Sequence, residues 1–372
     1  MNQANNKDIF DKPIFNLPLK REGKDVYIFL DSIYSNYLKT IKKFKGKIND
    51  SLNQHYNTIQ NECDSILESL KLYLEGQPSK SYIELERCLN VLNFSGLLEI
   101  QQTNKSQESC ELYRIRIAAN ANMRREDLFH IPFDLRERVS TQRYSIPGLP
   151  CLYLADSVFV CWEELGRPDF NSVHVSKFDI SVGKFKLLYL NVSTNEMRKR
   201  CFHNSNDGKL TNQLVKYLCY WPLLAACSLI VDKPREVFKP EYIIPQLVLQ
   251  WIVSAENLDG VQYKSNMVRM SSHNIGTFTN IAIPVKEIKD SGYCSKLIRN
   301  VKLTSPISWQ LLEISEPQKA FISNKKEDID ISSLRRASYI EMIEGEKTPY
   351  LESKFGVLEE KLRAMPVKCI IA

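Results

Sequence analysis

The sequence lacks an apolar run long enough to cross a membrane. Its longest apolar stretch, residues 219–231, contains Pro222 and Ser228 and falls short of the roughly 20 residues that a spanning helix needs. The first eight residues are polar and lack the apolar core of a signal peptide. The sequence therefore predicts a cytoplasmic protein that has no contact with a membrane.

Patterns typical of disulfide frameworks and zinc sites are also absent. The ten cysteines include no pair with CxxC spacing, and most lie among apolar residues, as Cys219 and Cys227 do. Of the five histidines, His203 alone has a cysteine nearby, Cys201, and no second pair of ligands completes a zinc site. We therefore expect reduced, buried thiols and no metal ion.

Long runs of one charge are missing as well. The chain of 372 residues has a formal net charge of +6, which is mild for its length and does not demand a nucleic-acid partner. The sequence shows no aromatic module for stacking nucleobases, so nucleic acid is not predicted as a partner. The length exceeds what one hydrophobic core usually serves, and two domains are expected.

What the sequence does contain is a stretch in which arginine replaces lysine. Arginine is needed where a planar fork must hold a phosphate or a carboxylate through two parallel hydrogen bonds. A Gly-Leu-Pro turn, an aromatic strand and two glutamates follow, which favours a pocket for an anionic ligand that contains a ring. A solvated basic face is the alternative. Between residues 114 and 143 there are seven arginines and no lysine: Arg114, Arg116, Arg124, Arg125, Arg136, Arg138 and Arg143.

Apolar residues at helical spacing dominate the first part of the chain. They predict helices over residues 26–46, 50–75 and 82–92, which together suit an antiparallel hairpin or a small bundle. Residues 101–109 are polar and unpatterned, so we place a domain boundary there.

Strands and helices follow the boundary in irregular order. Because there is no regular βαβ alternation, the pattern predicts the α+β class. Ser157 is the expected cap of the first helix beyond the boundary. Strands are predicted over 112–117, 150–154, 173–180, 185–192 and 280–285, with a turn into a strand over 258–265, and helices over 156–165, 210–220, 240–254 and 351–365.

Three blocks of this region resemble the RES domain family of bacterial proteins, which is named for its Arg, Glu and Ser residues. Residues 143–157 (RYSIPGLPCLYLADS) match its core, in which a Glu follows the Tyr by eleven positions, as Glu164 follows Tyr153. Arg114 matches the arginine of the family's first strand. Residues 259–265 (DGVQYKS) match a Gly turn that ends in Ser265, and Asn280 matches a recurrent polar position. The resemblance covers roughly residues 110–290.

The resemblance implies an ADP-ribosyltransferase-like fold that binds NAD as its substrate and breaks the nicotinamide–ribose bond. The acceptor among family members is water, inorganic phosphate or a protein side chain, and many members are toxins of toxin–antitoxin pairs. The chain is then divided into a small all-α helical module (residues 1–105), a RES domain (106–295) and a C-terminal extension packed on that domain (296–372). A catalytically inactive nucleotide-binding or interaction protein with the same fold is the alternative.

The resemblance also gives each matching residue a role. Arg114 and Arg143 would clamp the NAD diphosphate, and Tyr153 would stack on the nicotinamide ring. Glu164 would stabilise the positive charge that develops on the ribose. Ser265 and Asn280 would offer polar groups to the ligand. The implied catalytic residues are Glu164, Arg143 and Tyr153, and the implied NAD-binding residues are Arg114, Arg143, Tyr153, Ser265 and Asn280.

Each of these roles has a plain structural alternative. Arg143 would instead be an ion-pair partner of Glu163 or Glu164, and Tyr153 would belong to the core. Glu163 lies beside Glu164 and competes with it as the catalytic carboxylate. Ser265 would be an ordinary turn residue.

The helical module at the N-terminus has no chemistry of its own in the sequence. Related proteins sometimes carry a helical RNase domain, whose site needs an Arg followed four to six residues later by a His. Arg21 and Arg87 have no such histidine. We therefore expect the module to dock an antitoxin, to mediate self-association or to cover the NAD cleft. A fragment without residues 1–100 is expected to fold.

Overall fold

A computed structural model describes residues 9–103, 110–118, 123–192, 197, 208–268, 274, 276–315 and 338–370. The chain divides into two compact units. The first contains residues 1–100, 141–146 and 188–256, and the second contains 101–140, 147–187 and 257–372. The units are thus built from interleaved segments, whereas the three predicted domains are consecutive. Most of the polar boundary segment, and the pair Cys201 and His203, lie outside the described residues.

The regular elements mix helices and strands throughout the chain, as the α+β prediction requires. The α-helices are α1 (Val26–Ile41), α2 (Lys47–Leu74), α3 (Pro78–Phe94), α4 (Arg125–Leu128), α5 (Val158–Glu164), α6 (Gly208–Cys219), α7 (Trp221–Cys227), α8 (Ile243–Ser254), α9 (Ser295–Asn300), α10 (Trp309–Ser315) and α11 (Lys354–Ala364). The strands are β1 (Ile100–Gln102), β2 (Cys110–Ile117), β3 (Cys151–Ala155), β4 (Val173–Ile180), β5 (Lys186–Leu190), β6 (Gly260–Lys264), β7 (Thr279–Pro284), β8 (Val301–Leu303), β9 (Ile307–Ser308), β10 (Tyr339–Glu341) and β11 (Lys347–Pro349).

Local signals in the sequence set the ends of the first three helices. The side chain of Asp25 accepts hydrogen bonds from the backbone N–H groups of Tyr27 (2.9 Å) and Ile28 (3.1 Å), which caps α1. Gly46 lies before α2 with a φ of 68°, a conformation that glycine adopts without strain. Pro78 occupies the first turn of α3, where its missing N–H costs nothing. The predicted N-terminal helical region is confirmed.

The helices of residues 208–254 complete the core of the first unit. The Tyr34 hydroxyl donates to the carbonyl of Pro222 (2.8 Å), and the Tyr37 ring stacks on Trp221 at a centroid distance of 4.1 Å. The buried Glu62 carboxylate accepts a hydrogen bond from the N–H of Leu223 (3.1 Å). Because residues 1–100 cover these helices, their removal would expose an apolar core. The expectation that a fragment without residues 1–100 folds is therefore not supported by this packing.

The second unit is organised around a sheet whose strands follow the order β6-β7-β3-β2-β4-β8, with β9 also paired to β4. The strand pairs β6–β7, β7–β3, β3–β2, β2–β4, β4–β8 and β4–β9 are all antiparallel. The described pairing of β2 with β3 consists of one residue pair, Tyr113 with Ala155. The sheet continues through β5 and β1 beyond β6, and β10 and β11 form a separate hairpin.

Each face of this sheet has its own hydrophobic core. Tyr113 and Ala155 pack on one face with α5 and α11, in a cluster that includes Phe159, Trp162 and Phe355. On the other face, Leu112, Leu154 and Ile281 pack with the segment that contains Leu128, Phe129 and Phe133. Directly opposed residues of an antiparallel pair share a face, and neighbours along a strand alternate between faces. The register therefore tells which face each polar side chain occupies.

Candidate functional site

Helix α5 carries Glu164 as its last residue. The Ser157 hydroxyl accepts a hydrogen bond from the N–H of Val160 (3.3 Å) and caps the helix, as the sequence predicted. Gly166 and Arg167 follow with φ values of 75° and 61°, a left-handed turn that ends the helix directly after Glu164. The helix is buried along most of its length, so the half-buried Glu164 emerges at its carboxyl end.

The Glu164 carboxylate is fixed by two hydrogen bonds to one of its oxygens. Oε1 accepts from the hydroxyl of Ser265 (2.6 Å) and from the side-chain amide of Asn280 (2.7 Å). Both donors are buried, with 2% and 5% of their surface exposed. Among the described residues, none donates a hydrogen bond to Oε2. The carboxylate is thus held in one orientation while its second oxygen stays available to a ligand.

Two strands bring the donors to Glu164. Asn280 lies on β7, opposite Ala155 of β3 on one side and opposite Tyr263 of β6 on the other. Ser265 follows β6 directly, and its backbone N–H donates to the carbonyl of Phe278 (2.7 Å). The N–H of Met267 donates to the Ser265 hydroxyl oxygen (3.3 Å), which leaves the hydroxyl hydrogen for Glu164. Both side chains are therefore oriented by the backbone around them.

The close packing of β6 on β7 explains why the Asp-Gly-Val block has a glycine at position 260. A Cβ atom at this position would lie 2.4 Å from the carbonyl oxygen of Ala282, which is part of the backbone of β7. Only glycine allows β6 to approach β7 this closely. The glycine therefore sets the distance between the two strands that carry Ser265 and Asn280.

Tyr153 lies on β3, two residues before Ala155, the residue that pairs with Asn280. It lies opposite Ala282, on the face of the sheet that Ala155 and Asn280 share. The ring is half-buried, and burial together with Cys151 and Tyr263 holds the pKa of the Tyr153 hydroxyl well above its usual range. The hydroxyl therefore stays protonated and can donate. The sequence did not single out Tyr263, although its position two residues before Ser265 on a strand was a usable signal.

Arg114 lies on β2, next to the single residue pair that joins β2 to β3. Its neighbour Tyr113 pairs with Ala155, so Tyr113 shares the face of Asn280 and Arg114 belongs to the other face. Within the described part of the chain, no hydrogen bond or ion pair joins Arg114 to Glu164, Ser265 or Asn280. The charge of Arg114 nevertheless lies close enough to Tyr153 to offset part of the rise in the pKa of its hydroxyl, so a cleft that holds all five residues stays a prediction.

Arg143 belongs to the first unit. There its buried guanidinium donates from Nη1 to the carbonyl of Cys227 (3.3 Å) and lies 5.0 Å from the centre of the Tyr242 ring. In the same turn, the Ser145 hydroxyl bonds to both backbone groups of Gln142. Within the first unit, these contacts give Arg143 a structural role in packing the turn.

The structure separates the two neighbouring glutamates. Glu163 is buried, with 4% of its surface exposed, and both of its oxygens contact Arg167, at 2.9 Å (Oε1 to Nη2) and 3.2 Å (Oε2 to Nε). Arg167 also lies over the ring of Trp162. Glu163 is therefore occupied by an ion pair, whereas Glu164 keeps one oxygen available.

A second carboxylate holds the opposite end of α5. Glu359 of α11 is fully buried, and its Oε1 accepts from the N–H of Val158 (2.8 Å) and from the hydroxyl of Tyr350 (2.5 Å). Its Oε2 accepts from Arg363 (3.2 Å). The sequence gave no signal for these residues, because they lie in the C-terminal extension and form no motif.

Neither a metal site nor a membrane span is found in the described part of the chain. No group of three or more His, Cys, Asp or Glu side chains there is arranged to hold a metal ion. None of the helices that the structure describes is both long and apolar enough to cross a membrane.

Fold and site together define an α+β protein whose second unit carries a carboxylate fixed by a serine and an asparagine. No protein-family model and no solved structure matches the chain. The chain is 33% identical over 309 residues to a protein of Bacillus subtilis (strain 168) named "Putative toxin YopC". The aligned region covers 80% of this chain and 69% of the relative. The chain therefore belongs to the family of that protein.

Proposed function

We propose that this protein is an NAD-consuming toxin that breaks the nicotinamide–ribose bond, with Glu164 as the catalytic carboxylate. The observation that carries the proposal is the anchored carboxylate. Its Oε1 is held by Ser265 and Asn280, and its Oε2 accepts nothing from the described residues. The motif resemblance to RES domains supports NAD as the substrate.

The chemistry of this bond suits a fixed carboxylate. When nicotinamide leaves, the ribose carbon becomes electron-poor and shares positive charge with the ring oxygen. A carboxylate that is already oriented stabilises that charge without first reorganising, which lowers the barrier. Because two buried donors fix Oε1, Oε2 of Glu164 is the oxygen that would face the ribose.

The rest of the cluster supplies groups that suit the two ends of this bond. The Tyr153 ring is large and flat and lies on the same face of the sheet as Asn280, which suits stacking with nicotinamide. Water, inorganic phosphate and a protein side chain are the candidate acceptors of the ADP-ribosyl group. The enzyme is accordingly a glycohydrolase, a phosphorylase or an ADP-ribosyltransferase.

The toxin part of the proposal rests on the relative. Membership of the family of "Putative toxin YopC" supports a growth-arresting role. Depletion of NAD, or transfer of ADP-ribose from NAD to a target, would arrest growth. A toxin of this kind is expected to need an inhibitory partner, and the N-terminal helices are the proposed surface for an antitoxin or for self-association.

One observation favours the alternative of an inactive nucleotide-binding protein with this fold. Arg114 lies on the other face of the sheet, and Arg143 is bonded within the first unit. Arg143, which the resemblance assigns to the NAD diphosphate, therefore already has a hydrogen-bond partner within the first unit.

The test is an NMR time course of the purified protein with NAD, run with and without inorganic phosphate. Release of nicotinamide by the parent, but not by the Glu164→Gln variant, is the expected result. The second product identifies the acceptor as water or phosphate. An unchanged NAD spectrum after prolonged incubation at high protein concentration would favour the inactive alternative.

A further inference from the structure

A second group of hydrogen bonds holds the segment of chain that leads to Asn280. Asp156 follows β3 directly, and its side-chain Oδ2 accepts from the backbone N–H of Thr279 (3.0 Å) and from the hydroxyl of Thr277 (3.4 Å). The backbone N–H of Asp156 donates in turn to the carbonyl of Thr279 (3.0 Å). Asp156 therefore bonds to both backbone groups of the residue that precedes Asn280.

The same segment also orients Ser265. The backbone N–H of Ser265 donates to the carbonyl of Phe278 (2.7 Å), and Phe278 lies between the two threonines that Asp156 contacts. Both side chains that hold Oε1 of Glu164 are thus attached to residues 277–280. A displacement of this segment would move both of them.

Burial determines how Asp156 makes these bonds. It raises the pKa of Asp156 to about 8, against the hydrogen bonds from Thr279 and Thr277, which lower that pKa. At pH 7 the side chain is therefore mostly a neutral carboxyl group that accepts through Oδ2. The other oxygen, Oδ1, has no hydrogen-bond partner within the described part of the chain. An asparagine at this position would keep one carbonyl oxygen and could reproduce both bonds to Oδ2.

We propose that Asp156 is a positioning residue for the reaction at Glu164, because it fixes residues 277–280 and, through them, the donors Ser265 and Asn280. The inference rests on the proposed function as far as it concerns rates, and on the hydrogen bonds alone as far as it concerns geometry. Ser265 and Asn280 together set the direction of Oε2. A misplacement of about 1 Å in a catalytic group can lower a rate by about 100-fold.

The first experiment observes the Asn280 side chain and requires no activity. In the full chain labelled with ¹⁵N at asparagine, the side-chain amide of Asn280 is the NMR signal that the variant Asn280→Ser lacks. This amide is buried and bonded to Glu164, so its hydrogens should exchange slowly with solvent. Asp156→Ala should speed the exchange by about tenfold or more, because the segment loses its anchor. Asp156→Asn should stay within about threefold of the parent.

The second experiment measures nicotinamide release at pH 7, with urea unfolding to verify that each variant is folded. We expect Asp156→Ala to lower kcat by about 10- to 100-fold and to change KM by less than about threefold. Asp156→Asn should restore most of the rate. Asp290→Ala is the control, because it removes an exposed carboxylate and should keep the parental rate. Equally slow Ala and Asn variants at position 156 would show that the bonds to Oδ2 are not what matters and would overturn the proposal.

Thr277→Val keeps the proposal testable if Asp156→Ala does not fold. It removes one donor to Oδ2 and keeps the shape of the side chain, so it should speed the amide exchange and slow nicotinamide release by about twofold to threefold. Parental exchange of the Asn280 amide in every folded variant would overturn the positioning role. A parent that releases no nicotinamide would instead overturn the proposed function, because the amide exchange reports on the position of Asn280 without NAD.

Discussion

The two faces of the sheet in the second unit treat polar side chains in opposite ways. On one face, Glu164 accepts hydrogen bonds from Ser265 and Asn280, which fix its orientation. On the other face, Arg114 and Arg116 carry buried donors without partners among the described residues. The first arrangement fixes the orientation of its carboxylate, whereas the second leaves buried donors unpaired although Asp127 offsets part of the charge of Arg116. The partnered cluster therefore has the properties of a preorganised site.

The position of Glu164 is also supported by residues that do not contact its carboxylate. The helix that carries Glu164 is fixed at both ends, by Glu359 at Val158 and by the turn at Gly166 and Arg167. Catalytic groups must be held to within a fraction of an ångström, which requires neighbours that are themselves locked by packing and hydrogen bonds. The neighbours of Glu164 meet that requirement, because they are themselves fixed by hydrogen bonds.

The largest expected effect comes from removing the support of α5. Glu359→Ala would leave Arg363 and the Tyr350 hydroxyl without their buried partner. Breaking a buried charged pair in this way costs about 3–5 kcal/mol. Urea unfolding of the variant and the parent would measure this difference. Glu360→Ala is the control, because Glu360 is exposed on the same helix. Equal stability of the two variants would mean that Glu359 does not hold the helix.

Glu164→Gln tests the partnered face itself. The amide keeps the size of the side chain and can still accept from Ser265 and Asn280, but it lacks the charge that stabilises the ribosyl cation. Loss of such preorganised stabilisation commonly costs about 100-fold or more in rate. NAD affinity should change little, because the lost interaction acts in the transition state.

Nicotinamide release and NAD titration would be measured on the parent, on Glu164→Gln and on Glu163→Gln. Glu163 is held by Arg167, so its variant should keep the activity if the protein remains folded. Parental rates in Glu164→Gln would remove Glu164 from the mechanism. A loss of activity in Glu163→Gln alone would give Glu163 the catalytic role.

Much of this face was predictable from the sequence, because its signals are local. The cap at Ser157, the strand that contains Tyr153 and the helix that ends at Glu164 all follow from periodicity and capping chemistry. The family resemblance selected Glu164 together with Ser265 and Asn280, and the structure places these three side chains in contact.

The rest depends on long-range pairing that periodicity does not encode. Alternation on β2 predicts that Arg114 and Arg116 share a face, but only the pairing of Tyr113 with Ala155 shows which face it is. Glu359 and Tyr350 contact α5 from 201 and 191 residues further along the chain, and they belong to no motif. Helix α7 was missed because Pro222 interrupts its apolar run, although proline suits the first turn of a helix.

A smaller effect is expected when one of the two donors to Glu164 is removed. Ser265→Ala deletes a hydrogen bond to a charged group, which is worth about 1.5–3 kcal/mol, and leaves Asn280 in place. We expect nicotinamide release to slow by roughly tenfold to 100-fold, less than for Glu164→Gln. Ser265→Thr keeps the hydroxyl and is the control. A Ser265→Ala variant as slow as Glu164→Gln would mean that the serine contacts the substrate directly.

The smallest effects concern pH, where two buried groups respond with opposite sign. Burial, reinforced by Glu359, raises the pKa of Asp156 to about 8. Its folded pKa exceeds its unfolded pKa, so the stability it contributes is present at low pH and is lost as the pH rises towards 8. Burial lowers the pKa of His130 to about 4, with a further contribution from Arg114. Its Nε2 must stay unprotonated to accept from the N–H of Cys294 (2.9 Å), so its contribution is present above pH 6.5 and is lost on acidification towards pH 4.

Asp156→Asn and His130→Gln would separate these two contributions. One pKa unit corresponds to about 1.4 kcal/mol, and partial relaxation around each group should reduce the total to about 1–2 kcal/mol. In urea unfolding at pH 5 and pH 8, Asp156→Asn should gain stability relative to the parent at pH 8. The His130→Gln variant should be less destabilised relative to the parent at pH 5 than at pH 8. At pH 5 the parent has itself lost part of the free energy of unfolding that its neutral histidine contributes. Parallel pH profiles for the parent and both variants would show that neither group titrates as its surroundings imply.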